Sequence, residues 1–114
     1  MKELSEFLNG KSEHTVGLFR AFIEAYQEMG KITVAPAKTM IGIVTTKRIA
    51  YITRLGKDFM DVCFMFDQPY NDNLCFHKIA QVPGTSQYNH YFRMMNKSDI
   101  NKEVKKYMKM ALSQ

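Results

Sequence analysis

The sequence predicts an α+β fold in one domain over residues 1–114, with N-terminal helices, an antiparallel meander sheet of five or six strands, and a C-terminal amphipathic helix packed on the sheet. Apolar residues recur at helical spacing at both ends of the chain and alternate with period two between them. The strand candidates are joined by short connections, whereas a parallel crossover needs about a dozen residues or more. The composition, 46% hydrophobic and 24% charged, is that of a globular domain.

Two helices are predicted before the sheet. The stretch MKELSEFLNG forms a short helix with one apolar face, which Asn9-Gly10 ends. The second helix begins at a Ser12 cap and closes at Gly30, where a left-handed residue can end a helix. Its predicted core face comprises Val16, Phe19, Ile23 and Tyr26, widened by Leu18 and Phe22.

Strand patterns follow from Lys31 onward, separated by turn-rich segments. Pro36 cannot donate to a ladder, so it predicts a bend or an edge position. The strand candidates in chain order are Ile32–Val34, Met40–Thr45, Ile49–Arg54, Phe59–Phe66, Cys75–Val82 and Gln87–Met95.

The closing helix is the clearest one in the sequence. Ser98 is its predicted cap, Asp99 lies in the first turn, and the apolar stripe is expected to pack on the sheet. The stripe comprises Ile100, Val104, Met108 and Leu112. The lysines that should face outward are Lys97, Lys102, Lys105, Lys106 and Lys109.

Charge and apolar run lengths limit the function classes. The formal charge of +5 favours acidic partners, and the terminal lysines indicate either a solvated helix face or a weak nucleic-acid footprint, because no zinc-finger spacing or RNP-type strand accompanies them. The sequence lacks a secretion-signal core and a run of about 18 apolar residues, so we expect a cytoplasmic protein with no membrane partner. Cys63 and Cys75 are expected to be free buried thiols.

Lys38 follows a proline bend and enters a run with strand character. Strand alternation places it on the face of Gly42, opposite Ile41 and Ile43, which are the better core pair. Gly42 should leave room there for a backbone or a ligand. One interpretation is a cation positioned for an anionic ligand, and the other is a solvated ammonium whose stem lies on apolar surface.

The histidines and catalytic motifs give weaker signals. His90 lies between aromatic residues on one strand face, so it is either a satisfied, partly buried side chain or a donor to a ligand. Cys75 and His77 have the spacing of two metal ligands, but no tight second pair follows, so we predict no metal and no cofactor. The sequence has no phosphate loop, GxSxG elbow or HExxH pair, and no catalytic residue is assigned.

Four segments of the chain resemble an uncharacterised bacterial family, a domain of unknown function sometimes labelled a predicted transport protein and similar to the YdhG-like α+β group. The segments are GKSEHTVGLFRAF, ITVAPAKTMIGI, KRIAYI and YNHYFRMMNKSDINKEVKKYMKMA. The positions that fit are Gly10 and Lys11 at a helix start, Lys38, Thr39 and Ile41 in a Thr-Lys-Thr-x-Ile-x-Phe strand, Ala50 in the next strand, and His90 in a His-His strand. The departures are Ala37, Ile43 and Asn89. The resemblance favours a site at Lys38 and names no ligand.

The first hypothesis is a non-catalytic binding or interaction module for an anionic small molecule or a protein partner. Its candidate ligand-binding residues are Lys38, Thr39, Tyr51, His90 and Arg93. Because both sheet faces appear partly apolar, we also predict a homodimer. The alternatives are a nucleic-acid accessory domain, favoured by the basic composition, and an enzyme that uses Lys38 and His90.

Overall fold

The computed structural model describes residues 3–114 and has the predicted α+β fold, with six antiparallel strands in one sheet. A 3₁₀ turn, Lys97–Asp99, precedes the last helix. The helices are α1 (Leu4–Leu8), α2 (Glu13–Met29) and α3 (Lys102–Leu112). The strands are β1 (Thr33–Pro36), β2 (Ile41–Val44), β3 (Arg48–Leu55), β4 (Met60–Phe66), β5 (Phe76–Gln81) and β6 (Tyr88–Met94). No helix within residues 3–114 combines the length and apolar character needed to cross a membrane.

The sheet departs from the predicted meander at its last two strands. Its order is β1-β2-β3-β4-β6-β5, so β6 lies beside β4 and β5 forms the edge. The loop over residues 67–75 is long enough to carry the chain past the position that β6 occupies. The burial of the two strands explains this order, because β6 buries His90, Phe92 and Met94, whereas no residue of β5 is fully buried. At the other edge, Pro36 ends β1, as its missing donor predicts.

The ends of the first two helices largely follow the sequence signals. Gly10 adopts a left-handed φ of 75° after α1, and the Ser12 hydroxyl accepts a hydrogen bond from the Thr15 amide at 3.1 Å, which caps α2. The predicted first helix includes residues 1 and 2, which lie outside the described residues. Gly30 caps α2 in an extended conformation, not a left-handed one, and a Cβ there would lie 2.8 Å from a Leu112 methyl group.

The predicted cap of the last helix is wrong. Asn101 caps α3, because its side-chain oxygen accepts from the Val104 amide at 2.9 Å. Ser98 lies inside the preceding 3₁₀ turn. In that turn the Asp99 carboxylate accepts from the backbone amides of Met95 and Asn96 at 2.7 and 2.9 Å. These acceptors hold residues 95–99 in a separate turn, so α3 begins three residues later than the sequence suggests.

The core lies between one face of the sheet and the helices α2 and α3. Leu18 and Phe22 are fully buried at its centre, while Val16, predicted as a core residue, is only half-buried. The Tyr26 hydroxyl donates to the Met108 carbonyl at 3.0 Å and joins the two helices inside the core. The α3 residues that complete this face are Val104, Tyr107, Met108 and Ala111. This single helical layer leaves the opposite face of the sheet uncovered.

Candidate functional site

The face of the sheet that points away from the helices carries a mixed set of aromatic, cationic and amide side chains. Cross-strand register assigns these residues to one face, because directly paired residues of antiparallel strands project to the same side. We call it the uncovered sheet face. Its principal members are Arg48, Tyr51, Arg54, Asp61, Cys63, Met65, Lys78, Asn89, Tyr91 and Arg93.

A row of four residues crosses the middle of the uncovered sheet face. Tyr51 of β3 pairs with Cys63 of β4, Cys63 pairs with Tyr91 of β6, and Tyr91 pairs with Lys78 of β5. Both tyrosines are half-buried, and Cys63 between them is only 4% exposed. The row therefore presents two aromatic side chains above a closed apolar floor.

Four cations and one carboxylate set the charge of this face. The Arg93 guanidinium binds Asp61 through two hydrogen bonds, from Nε to Oδ1 at 2.8 Å and from Nη2 to Oδ2 at 3.0 Å. It also lies 4.0 Å from the Phe59 ring centroid, and Arg54 lies 5.3 Å from the same centroid. Arg48, Arg54 and Lys78 are exposed and have no carboxylate partner among the described residues. The face is therefore positively charged.

The turn between β3 and β4 positions Phe59, whose ring lies beside Arg54 and Arg93. Thr15 donates its hydroxyl to the carbonyls of Gly56 and Lys57 at 2.8 Å, and Ser12 donates to the Lys57 carbonyl at 2.7 Å. A Cβ on Gly56 would come within 2.4 Å of the Phe59 ring. The glycine thus allows Phe59 to fold back against the turn, where it supports the guanidinium of Arg93.

Amide side chains extend the site along β6. Gln87 Nε2 donates to Asn89 Oδ1 at 3.0 Å, and Asn89 Nδ2 donates to the Tyr91 hydroxyl at 3.4 Å. Beside this chain lies an open cleft of about 340 Å³, lined by Lys47, Arg48, Tyr51, Met65, Phe66, Asp67, Ser86, Gln87 and Gln114. The cleft brings hydrogen-bonding groups, the two cations Lys47 and Arg48 and the single carboxylate of Asp67 next to Tyr51, so its side chains carry a net positive charge.

Neither cysteine has the properties of a nucleophile. Burial raises the pKa of Cys63 to about 11, and burial together with the carboxylate of Glu103 raises the pKa of Cys75 to about 12. Both thiols are free, with Cys63 buried and Cys75 half-buried. A thiol reacts as its thiolate, so these groups are protonated and unreactive near neutral pH. Within residues 3–114, no group of three or more His, Cys, Asp or Glu residues is arranged to hold a metal ion, and this includes the surroundings of Cys75 and His77.

His90 does not lie on the uncovered sheet face. It is fully buried on the helix side, where its Nε2 accepts from the Tyr70 amide at 3.1 Å and its Nδ1 lies 2.9 Å from the Tyr88 carbonyl. These partners define a neutral imidazole with the proton on Nδ1, because Nε2 must accept. Burial lowers the His90 pKa below its ordinary value. His90 therefore holds the loop after β4 and has no free nitrogen for a ligand.

Lys38 and Thr39 lie in the exposed turn between β1 and β2, so the predicted strand position of Lys38 is wrong. The turn closes with a hydrogen bond from the Ala37 amide to the Met40 carbonyl at 2.8 Å. The space predicted beside Gly42 is occupied by the Arg48 side chain. Thr39 lines a separate cleft of about 500 Å³, together with Glu6, Phe7, Asn9, Lys11, Ile41, Ile52, Thr53, Arg54, Leu55, Gly56 and Lys57.

Of the five predicted ligand-binding residues, only Tyr51 and Arg93 share a face. His90 and Arg93 are three residues apart on one strand and hence point to opposite sides. Strand alternation alone separates them, and it also groups Asn89 and Tyr91 with Arg93. The sequence does not specify the strand register or the strand order. Both are needed to place Arg48 and Arg54 of β3 and Lys78 of β5 on this face.

A second cationic surface lies on α3, on the opposite side of the molecule from the uncovered sheet face. Its lysines point outward, as the sequence predicts, around an open groove of about 680 Å³. The groove is lined by Ile100, Asn101, Lys102, Lys105, Lys106 and Lys109. Tyr107 of α3 is buried in the core, and Lys106 Nζ lies 5.2 Å from its ring centroid. This surface offers charge without an exposed ring.

A family model described as a domain of unknown function, DUF5655, matches residues 4–114. The chain belongs to DUF5655. Membership confirms the expected uncharacterised-domain family, while the bacterial distribution, the two strand signatures and the YdhG-like grouping remain predictions. Searches of curated proteins and of solved structures gave no match for this DUF5655 domain.

Proposed function

We propose that this DUF5655 domain is a non-catalytic binding module that holds an anionic partner on the uncovered sheet face. One observation carries the proposal: the only broad face of the sheet that the helices leave open combines two half-exposed tyrosines with three cations that lack a carboxylate partner among the described residues. Guanidinium and ammonium groups attract an anion, and the sheet fixes the backbone positions from which these side chains extend. The adjoining cleft of about 340 Å³ gives such a partner a concave contact.

The chemistry of the face favours binding over catalysis. Asp61 is held by Arg93 in a bidentate pair and is not available as a base in this arrangement. The Cys63 thiol is protonated near neutral pH because burial raises its pKa to about 11. The enzyme hypothesis needs His90 and Lys38 at one bound molecule, yet His90 is fully buried with both nitrogens engaged. We therefore do not propose that pair as catalytic residues.

The homodimer remains a prediction. It is based on apolar surface on both sheet faces, and the burial pattern gives this reason little support. The large hydrophobic side chains that are exposed among residues 3–114 are Leu74 and Met95, and neither belongs to the uncovered sheet face. Light scattering at high micromolar concentration measures the mass directly. A dimer mass would support the prediction, and a monomer mass would remove it.

Calorimetric titration with tripolyphosphate tests the proposed function. The double variant Arg48→Ala/Arg54→Ala removes two cations from the uncovered sheet face, and the matched control Lys105→Ala/Lys109→Ala removes two from α3. We expect the first variant to bind roughly 2- to 30-fold more weakly, since each exposed ion pair contributes about 0.2–1 kcal/mol. The control should bind like the unmodified protein. Equal affinity in all three proteins, or loss only in the control, would contradict the proposal.

A further inference from the structure

We propose that the occupant of the uncovered sheet face is single-stranded nucleic acid, with bases stacked on Tyr51 and Tyr91; this rests on the proposed function and names its ligand class. The two tyrosines are the central aromatic pair of the face and lie on strands that flank β4. Proteins that hold single strands combine a positively charged surface with aromatic side chains on which successive bases stack. Both components occur here on one face.

The spacing of the tyrosines favours a strand over a single small anion. Each tyrosine pairs with Cys63, so their Cα atoms are separated by two strand spacings, about 10 Å. When both tyrosine rings lie flat on the sheet, one planar ring cannot cover two side chains at that separation. A ligand that stacks on both in this arrangement carries at least two separate rings on a flexible connection, as an unpaired oligonucleotide does.

The cations surround the tyrosine row where a phosphate backbone would pass. Arg48 and Arg54 lie three residues to either side of Tyr51 along β3, and they share its face because the strand register shifts on each side of Tyr51. Each shift leaves two residues of the neighbouring strand opposite the step, so each arginine lies about 7 Å of strand from Tyr51. Lys78 pairs with Tyr91 across the strands, and its Nζ lies over the Tyr91 ring in a cation–π contact, 5.7 Å from the centroid. Phosphates on both sides of the stacked bases would therefore meet a cation.

Hydrogen-bonding groups are also placed beside the rings. Asn89 and Gln87 extend from Tyr91 along β6, and their amide groups supply both donors and acceptors that suit base edges. In a duplex the base faces are stacked on each other, so they are closed to a protein ring. The arrangement hence favours unpaired strands over duplex.

Charge disfavours a second copy of the chain as the occupant. In an isologous contact through this face, the patch that carries Arg48, Arg54 and Lys78 would meet the same positively charged patch of the other copy. Like charges placed together across an interface oppose association. The anionic backbone of a nucleic acid instead complements them.

Fluorescence anisotropy with labelled oligonucleotides of about 12 residues, within the range that single-strand binding folds occupy, tests this inference. The probes are oligothymidylate, an abasic strand of equal length, and a duplex. We expect oligothymidylate to bind most tightly, and Tyr51→Ala and Tyr91→Ala each to weaken it roughly 5- to 150-fold. Tyr91→Phe keeps the ring and should keep the affinity, which separates stacking from misfolding.

Salt dependence supplies the second readout. Removing Arg48 or Arg54 should lower the slope of log affinity against log salt by about 0.7 per phosphate contact, whereas Lys105→Ala/Lys109→Ala should leave it unchanged. Equal binding of the abasic strand, or tighter binding of the duplex, would overturn single-strand recognition while tripolyphosphate binding could still support the proposed function. A dimer that Tyr51→Arg dissociates would overturn the inference as well. Failure of every oligonucleotide and of tripolyphosphate would overturn both.

Discussion

Acidification below about pH 6.5 should weaken the fold through His90, the buried imidazole of β6. The folded protein lowers the His90 pKa, chiefly because burial disfavours the charged ring. The unfolded chain therefore takes up the proton first as the pH falls. Stability from this group is fully present above the ordinary histidine pKa of 6.5 and is lost as the pH drops through the window below it.

The contacts of His90 set the size of the effect. Protonation would turn Nε2 from an acceptor into a donor that faces the Tyr70 amide 3.1 Å away. An unsatisfied buried donor costs about 1–3 kcal/mol, and one titrating group can change the free energy of unfolding by at most about 1.4 kcal/mol per pH unit. We expect the free energy of unfolding to fall by about 1–3 kcal/mol in total when His90 is fully protonated.

Urea unfolding between about pH 7.5 and 5.5 measures the part of this loss that occurs above pH 5.5, which is at most about 1.4 kcal/mol. The free energy of unfolding should fall with pH in the unmodified protein, and the fall should be smaller in His90→Gln. His77, which is exposed on β5, offers the matched control His77→Gln, whose curve should parallel that of the unmodified protein. If His90→Gln does not fold, exchange protection of the Tyr70 amide in the unmodified protein should decline over the same window. Parallel curves for His90→Gln and the unmodified protein, or unchanged Tyr70 protection, would refute this role.

Three further predictions concern the turn, the last helix and the thiol. Gly56→Ala should cost about 1–3 kcal/mol by crowding the Phe59 ring, measurable by urea unfolding, and wild-type stability would contradict this contact. Asn101→Ala should lower the free energy of unfolding by about 1 kcal/mol through loss of the α3 cap, whereas Ser98→Ala should change it by less than about 0.5 kcal/mol. Urea unfolding measures both, and a larger loss in Ser98→Ala would indicate that Ser98 is the cap. Iodoacetamide at about pH 8 should label Cys63 on the order of a hundredfold more slowly than free cysteine, and fast labelling of the folded protein would contradict the raised pKa.

Local patterns in the sequence specify most of the elements, because helix periodicity, strand alternation and cap residues act over a few positions. Ser12 and the apolar face of α2 illustrate this, since the cap and five of the six predicted core positions, all except Val16, are found in the structure. The order of β5 and β6 depends instead on which of the two strands buries more side chains when it lies beside β4. The long loop before β5 allows either order. The choice between them is a competition between distant segments, and short-range patterns do not contain it.

The candidate site was only partly predictable for the same reason. Alternation separates His90 from Arg93, so period two already argues against a site that uses both. The turn at Lys38 and Thr39 is harder to predict, because the apolar residues that follow it do not mark the first residue of β2. The cations of Arg48 and Lys78 come together with Tyr51 and Tyr91 only through pairing across four strands.

Chemical-shift mapping by NMR tests most directly whether the uncovered sheet face is the binding surface. On titration with oligothymidylate, the amides of Tyr51, Asn89 and Tyr91 and the side-chain signal of Arg48 should shift together and saturate at one concentration. The signals of the α3 lysines should not shift under the same conditions. Shifts confined to Lys102, Lys105 and Lys109, or spread evenly over both surfaces, would contradict a binding site on the sheet.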